Sequence, residues 1–272
     1  MSVGVALRYL VPGLVLSWYA LPCLACMIAG IDRGEYFDGE YYDYWMETLV
    51  GAHSGVALTM IGTLFLLGRG EWIMGKNERG FMPLWSMMLW WPFHFLNQAM
   101  IFLKRKVLKP NVPDANAILD DLFLGGWQCD NVLKRVMQKR FEDGGMLKTK
   151  PMLPAVIDLT VELPERILPG ERSAYLWLPV WDGNSPNVAQ LDTAVAFAKK
   201  HMSKGSPVVI HCAHGVGRST TAMCAVLIES GKARTVDEAL AIVRKSRPIA
   251  RLNSLMKSSL QNWLASRQRK QK

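Results

Sequence analysis

The first third of this 272-residue sequence has little charge, and basic residues are especially scarce there. Up to Leu103 the chain carries five lysines and arginines against eight acidic residues, whereas the remainder carries 27 against 15. A single arginine within the first 31 residues argues against an Arg-rich transit peptide. The chain therefore has a hydrophobic front part and a basic, water-compatible remainder, which favours anionic partners.

Cysteine is also scarce, and the five residues present lack the spacing of a disulfide framework. Cys23 and Cys26 form a Cys-x-x-Cys pair inside an apolar run, with no second pair and no nearby histidine, so we interpret them as small residues of a membrane segment. No cluster of metal ligands and no nucleic-acid-binding motif is visible in the sequence. We therefore expect no metal, no other cofactor and no nucleic-acid partner.

Three uncharged runs occupy the front part, at residues 9–31, 48–68 and 81–103. A bilayer core needs about 20 apolar residues per helix, which the first two runs supply. The first run exceeds a signal-peptide core of roughly 7–15 residues, so we expect it to be retained. The third run contains three tryptophans and is followed by Lys104, Arg105 and Lys106, a composition that also suits a membrane surface.

The basic residues flanking these runs bear on membrane topology. Three spans would divide them four against five, which indicates no orientation. If the third run lies along the surface, eight basic residues fall on the side of the N-terminus and only Arg33 on the other. We therefore predict that residues 1–110 form an α-helical membrane hairpin with both ends cytoplasmic, the third run being an interfacial helix or a third span.

Residues 111–272, which begin in a proline-bearing linker, alternate between strand-like and helix-like patterns. Strands are predicted at residues 122–126, 155–160, 175–180 and 207–210, and helices at 131–141, 187–204 and 220–230, then after residues 235 and 253. Such alternation predicts an α/β domain with a central, mostly parallel sheet flanked by helices.

One stretch of this domain, Val208-Val-Ile-His-Cys-Ala-His-Gly-Val-Gly-Arg-Ser-Thr220, has the pattern of an anion site. A strand ends at His211, a loop with two glycines follows, and a helix begins at about Arg218. Backbone N–H groups of such a loop surround an anion, and the helix N-terminus adds positive potential. We expect these loop residues to bind the substrate: Ala213, His214, Gly215, Val216 and Gly217. Both glycines are expected to permit a positive φ and a close backbone approach.

The side chains of the loop supply reactive groups. A cysteine at a helix N-terminus can have its pKa lowered to roughly 3.5–7.5, so we predict Cys212 to be an anionic nucleophile. The planar guanidinium of Arg218 can hold two equatorial phosphate oxygens and stabilise them as charge develops. Ser219 can donate a hydrogen bond to the thiolate and help it leave, and this chemistry requires no metal.

The pattern His-Cys, five residues, Arg-Ser-Thr resembles the signature of the cysteine-based protein tyrosine phosphatase superfamily, dual-specificity type. The resemblance implies a general acid on a separate loop. Leu178-Pro-Val-Trp-Asp182 resembles the Pro-x-x-Asp acid loop of that family and indicates Asp182, with Asp192 as a rival within a helical pattern. The resemblance extends over about residues 116–265, including Val156-Ile-Asp-Leu-Thr160 with Glu162 and Arg247-Pro248 with Asn253. It implies supporting roles for His211 and Asn253.

The expected activity is hydrolysis of phosphomonoesters through a cysteinyl-phosphate, by an integral membrane protein whose catalytic domain faces the reducing, cytoplasmic side. Membrane lipids are expected partners. Two classes of substrate stay open. One is proteins phosphorylated on tyrosine, serine or threonine. The other is a phospholipid headgroup such as phosphatidylglycerophosphate or a phosphoinositide, although the loop contains no lysine. The alternative from another class is a non-catalytic phosphate-binding module.

Overall fold

The computed structural model describes residues 3–32, 39–108, 111–143 and 153–270. The chain divides into two compact units. Met1–Ile73 and Pro83–Met100 form the helical unit, and Met74–Met82 and Ile101–Lys272 form the α/β unit. The α/β unit therefore includes a short segment from between the second and third apolar runs, in addition to the domain expected from residue 111 onward.

The helical unit contains two long helices, α1 (Val3–Asp32) and α2 (Gly39–Leu67). They approach closely at glycines: a Cβ atom on Gly13 would lie 2.6 Å from the Thr59 nitrogen, and one on Gly55 would lie 2.6 Å from the Ser17 nitrogen. The residue numbers of these pairs run in opposite directions, so the helices are antiparallel. Small residues at such contacts are typical of helix pairs in membranes.

The apolar runs give an incomplete membrane signal. Among the described residues, one helical stretch, Met46–Leu67, is long and apolar enough to cross a membrane by length and composition, and a shorter apolar stretch covers Ala6–Trp18. The side chains of residues 22–45, with Cys23 and Cys26, lie outside those described. The hairpin with spans at 9–31 and 48–68 therefore stays a prediction.

The third run does not form one continuous helix. It contains α3 (Leu84–Leu89) and α4 (Trp91–Phe102), and Trp90 lies at the break between them. A π-helical turn, Leu103–Leu108, follows α4 directly. This turn carries the first of the basic residues that the sequence places after the run.

The α/β unit is built on a five-stranded sheet in the order β1-β2-β5-β3-β4. Its strands are β1 (Ala115–Leu119), β2 (Leu122–Gly125), β3 (Ala155–Asp158), β4 (Ala174–Trp177) and β5 (Val208–His211). The pairs β2–β5, β5–β3 and β3–β4 are parallel, which confirms the mostly parallel sheet. The antiparallel edge strand β1 was not predicted.

Within the described part of this unit, five α-helices accompany the sheet, close to their predicted positions. They are α5 (Asp130–Asp143), α6 (Val188–Met202), α7 (Arg218–Glu229), α8 (Val236–Ser246) and α9 (Ser254–Lys270). The Thr235 side chain accepts a hydrogen bond from the Glu238 nitrogen and begins α8, as its spacing predicts. Strands β3 and β5 are buried throughout, and their register pairs Asp158 with His211, so their carboxyl ends meet at one edge of the sheet.

Candidate active site

The loop between β5 and α7 is held by hydrogen bonds to its carbonyl oxygens. The donors come from outside the loop: Trp127 N to Ala213 O at 3.1 Å, Arg247 Nη2 to His214 O at 3.0 Å, Arg247 Nε to Gly215 O at 2.6 Å, and Arg251 N to Val216 O at 2.9 Å. With its carbonyl groups engaged outward, the loop can turn its N–H groups toward an anion, as nests of successive amides do.

The two loop glycines differ in conformation. Gly215 has φ +65°, and a Cβ atom there would lie 2.6 Å from the Gly125 oxygen. Gly217 has φ −118°, so of the two glycines only Gly215 uses the positive φ that a glycine permits. The small size of Gly217 matters for space instead, because a Cβ atom on Gly217 would lie 2.7 Å from the Met256 side chain.

Cys212 is the first residue of this loop and is buried, with its Sγ atom 3.2 Å from the Ser219 Oγ atom. Burial alone would raise the pKa of the thiol. The positive charge of Arg218 and hydrogen bonds from Ser219 and the Val216 backbone outweigh it, so the pKa of Cys212 lies below its ordinary value. A lowered pKa favours the thiolate, which is the nucleophilic form of cysteine.

Arg218, the first residue of α7, is fully buried and paired with Glu162. Its Nη1 donates to Glu162 Oε2 at 3.0 Å and its Nη2 donates to Glu162 Oε1 at 2.6 Å. Burial opposes the charge, but Glu162 and then Asp182 raise the pKa of Arg218, which stays cationic. The Nε–H has no hydrogen-bond partner among the described residues, so the Nε and Nη2 edge can take two oxygens of an anion.

Asp182 lies beside this guanidinium, with Oδ1 3.3 Å from Arg218 Nη2 and one third of its side chain exposed. Its loop is held by Asn253, whose Nδ2 donates to the Gly183 oxygen at 2.9 Å and whose Oδ1 accepts from the Met256 nitrogen. The rival acid Asp192 lies on α6 and accepts a hydrogen bond from Trp263 Nε1 at 2.8 Å. Of the two candidate acids, the structure places Asp182 beside the loop arginine.

His211 is buried directly before Cys212, and its Nε2 lies 2.8 Å from Glu165 Oε2 and 3.9 Å from Asp158 Oδ1. Burial would lower the pKa of His211, but Glu165 and Asp158 raise it to about 9. The imidazole is therefore a buried cation at neutral pH. It is bonded to carboxylates at the base of the loop, which suits the supporting role expected for it.

His214 is the loop residue that contacts a basic side chain from the π-helical turn. Lys104 Nζ lies 3.4 Å from His214 Nε2. Burial, with Lys104 and Arg218 adding to it, lowers the pKa of His214 to about 4 despite the opposing charge of Asp182. The loop therefore carries a neutral imidazole with a lysine from the π-helical turn next to it.

Three contributors to this arrangement were not assigned roles from the sequence. Arg247 is fully buried and braces the loop through the two carbonyl groups described above. Glu162 clamps Arg218. The resemblance marks both segments without stating these contacts, whereas nothing in the sequence pattern indicated the third residue, Lys76, which bonds to Asp158 at 2.5 Å.

Part of this chain is similar in sequence to known phosphatases. Residues 146–265 match the sequence model of the family described as dual specificity phosphatase, catalytic domain. A curated relative, the dual specificity protein phosphatase Mpk3 of Drosophila melanogaster, is 31% identical over 94 residues. That match covers 34% of this chain and 23% of the relative. These findings support the cysteine-based dual-specificity phosphatase superfamily.

Solved structures similar to the α/β unit include human DUSP28 and PTPMT1 in complex with PI(5)P. The first has a TM-score of 0.47 with 21% identity, covering 57% of this chain and 96% of DUSP28. The second has a TM-score of 0.49 with 20% identity, covering 58% of this chain and 99% of PTPMT1.

Proposed function

We propose that this protein is a membrane-anchored phosphatase that hydrolyses phosphomonoesters of phosphorylated proteins through a cysteinyl-phosphate. The observation that carries the proposal is the convergence of three groups at the end of β5. Cys212 has a lowered pKa, Arg218 presents a buried guanidinium edge, and Asp182 lies 3.3 Å from that guanidinium. A nucleophile, an oxyanion clamp and a proton donor are the groups that phosphoryl transfer to cysteine needs.

In the first step the Cys212 thiolate attacks the phosphorus atom of the phosphomonoester. The P–S bond forms as the P–O bond to the leaving group breaks. The carboxylic acid of Asp182 gives its proton to the departing oxygen, and Arg218 with the loop N–H groups stabilises the equatorial oxygens.

In the second step water attacks the cysteinyl-phosphate. The Asp182 carboxylate accepts a proton from the water as its oxygen bonds to phosphorus, and the P–S bond breaks. The sulfur leaves as a thiolate, to which Ser219, at 3.2 Å, donates a hydrogen bond. Inorganic phosphate is released, and Asp182 is again protonated for the next cycle.

The outward faces of α1 and α2 support the membrane anchor. Large apolar side chains are exposed there while the glycine faces pack inward; Leu14, Trp18, Val56 and Leu67 are exposed by 57%, 79%, 53% and 63%. A concentration of large exposed apolar side chains of this kind is typical of a site of protein or membrane interaction. Because its nucleophile must stay a free thiol, we place the α/β unit on the reducing, cytoplasmic side.

A second substrate class, phospholipid phosphomonoesters, is favoured by the contact between Lys104 and His214. The loop itself lacks lysine, and this contact brings a cation to its mouth from a neighbouring turn. A lysine at that place could bind a second anionic group, such as the phosphodiester of phosphatidylglycerophosphate. The anchor would hold such a substrate next to the site.

The test is phosphate release by the full chain in detergent micelles. The substrates are a phosphotyrosine peptide, a phosphothreonine peptide, phosphatidylglycerophosphate and single phosphoinositides, with Cys212→Ser as the control. The full chain is required because Met74–Met82 belongs to the α/β unit, so a fragment that begins near residue 110 would lack part of it.

Peptide turnover that is lost in Cys212→Ser supports the proposal. Turnover of lipid far above that of peptide assigns the lipid class instead. Binding of phosphopeptide without any release of phosphate would identify a non-catalytic binding module. Turnover that survives Cys212→Ser would overturn the mechanism.

A further inference from the structure

The segment Met74–Met82 is docked on the α/β unit although about 70 residues separate it from strand β3. Its turn is closed by Gly80, with φ +83°, where a Cβ atom would collide with Glu165 and lie 2.7 Å from the Tyr175 hydroxyl. The Gly80 oxygen accepts from the Glu165 nitrogen at 2.8 Å, and the Arg79 oxygen accepts from Arg172 Nη2 at 2.6 Å. The segment is therefore fixed against the ends of β3 and β4.

Lys76 projects from this segment into the protein, and its side chain is completely buried. The ammonium donates to four oxygens: Asp158 Oδ2 at 2.5 Å, Leu163 O at 2.7 Å, and Thr160 O and Oγ1 at 3.0 Å each. A buried lysine is costly unless its charge is paired and its protons are bonded, and both conditions are met here. Lys76 therefore has a built site in the α/β unit.

That site adjoins the catalytic loop. Asp158 pairs with His211 across β3 and β5, and the Leu159 nitrogen donates to the His211 oxygen at 3.0 Å. The Leu159 oxygen accepts from Arg218 Nη1 at 3.1 Å. Asp158, the partner of Lys76, is therefore adjacent in the chain to Leu159. The backbone of Leu159 bonds both to His211, which precedes Cys212, and to Arg218.

The charges at this end of the sheet balance only when Lys76 is counted. Asp158, Glu165 and His211 offer ligand atoms within 4.8 Å of one another, a spacing that a metal ion could use. The Lys76 ammonium already bonds to Asp158, so the chain supplies the cation itself. Burial alone would raise the pKa of Asp158, but Lys76 and then His211 lower it to about 2. Two carboxylates thus face two cations.

We propose that Lys76 is a positioning residue of the phosphatase site, which neutralises Asp158 at the base of the catalytic loop and so keeps Cys212 in its anionic form. This inference rests on the proposed function only in naming Cys212 as the reacting group. Among the described residues, the charged and titratable groups around the loop at this end of the sheet include Lys76, Asp158, Glu162, Glu165, Tyr175, Asp182, His211, His214, Arg218 and Arg247.

The test measures how fast iodoacetamide alkylates Cys212 in the full chain as a function of pH, read by mass spectrometry of the peptide that contains it. Three variants are expected to move the alkylation midpoint differently: Lys76→Met, Asp158→Asn and the double variant. Lys139→Met, an exposed lysine on α5, is the matched control. Values of kcat and KM with an aryl phosphate are measured per mole of folded protein, taken from the amplitude of the thermal unfolding transition, so a loss of folded protein does not count.

Lys76→Met leaves an extra negative charge near the thiolate, so the alkylation midpoint should rise by about half to one pH unit. The corresponding kcat/KM below that midpoint should fall roughly three- to tenfold, through kcat. Asp158→Asn removes a negative charge and should move the midpoint down. The double variant should return near the wild-type midpoint, and Lys139→Met should not change it.

The double variant keeps a neutral pair of similar volume, so it gives a reading even if Lys76→Met does not fold, in which case it is compared with Asp158→Asn. Midpoints that stay at the wild-type value in Lys76→Met, or in Asp158→Asn, would overturn the inference. If the midpoints move as expected and no substrate releases phosphate, the proposed function fails and the inference on Lys76 stands. If phosphate is released and the midpoints do not move, the inference alone fails.

Discussion

The loop before α7 and the interior of the same helix each hold a cysteine, and the two thiols have opposite properties. Both Cys212 and Cys224 are almost fully buried. The pKa of Cys224 is raised by burial to about 12, and no other cause acts on it. The pKa of Cys212 is lowered because Arg218, Ser219 and the loop amides offset the same burial. Reactivity therefore follows from the donors and charges around the sulfur.

The largest expected effect is the loss of activity on replacing Cys212, with Cys224 as the matched comparison. Cys212→Ser should reduce phosphate release roughly 10⁴-fold or more, because the nucleophile is lost. Cys224→Ala should leave kcat/KM within about twofold and cost stability, because it opens a small cavity in the core. Steady-state kinetics and thermal unfolding measure the two effects, and a comparable loss of activity in both variants would contradict the comparison.

A second prediction adds the carboxylates to the comparison. Asp182→Asn should lower kcat roughly 10²–10⁴-fold with a phosphopeptide, since the leaving oxygen loses its proton donor. The loss should be smaller with p-nitrophenyl phosphate, whose leaving group needs less protonation. Asp192→Asn is the matched control, and we expect it to retain activity. Equal losses in the two variants would remove Asp182 from the mechanism.

Arg218→Lys separates the charge near the sulfur from the shape of the guanidinium. Lysine keeps one positive charge but has no planar fork, so kcat should fall roughly 10²–10³-fold. The alkylation midpoint of Cys212 should move little, because the charge that lowers its pKa is retained. A full loss of thiolate character in this variant would show that geometry, and not charge, sets the pKa of Cys212.

Ser219→Ala should give the smallest effect. Its hydroxyl lowers the pKa of Cys212, so its removal raises that pKa and shifts the acidic limb of kcat/KM toward higher pH. Breakdown of the cysteinyl-phosphate should slow by about tenfold, the value of one hydrogen bond to a charged group. Burst kinetics with p-nitrophenyl phosphate report this step, and a variant without a larger burst would contradict the role in thiolate departure.

The loop residues and the sheet were predictable because their signals are local. Strand β5, the two glycines and Arg218 lie within one short stretch, and the apolar runs of β2, β3 and β5 follow from burial on both faces. Asp182 was predicted from the resemblance. The sequence did not distinguish the two glycines: Gly215 has a positive φ, whereas Gly217 has an ordinary φ and lies close to the Met256 side chain.

The contacts that brace the site were beyond sequence patterns because they join distant residues. Lys76 and Asp158 are 82 residues apart. In the sequence Lys76 is one of a few basic residues between apolar runs, where it counts only as a topology signal. Arg247 bonds to the Asn116 side chain 131 residues away. Neither pairing has a period or spacing that could reveal it.

The docked segment Met74–Met82 also constrains the parity of bilayer crossings. It belongs to the same compact unit as Ile101–Lys272, so both must face one compartment. For the anchor proposed above, residues 83–100 begin and end on the same side of the bilayer. They must then cross it an even number of times or not at all. Helices α3 and α4 have 6 and 12 residues, and even 12 residues span only about 18 Å of a roughly 30 Å hydrocarbon core. The docking of the segment that carries Lys76 thereby favours two crossings of the bilayer over three.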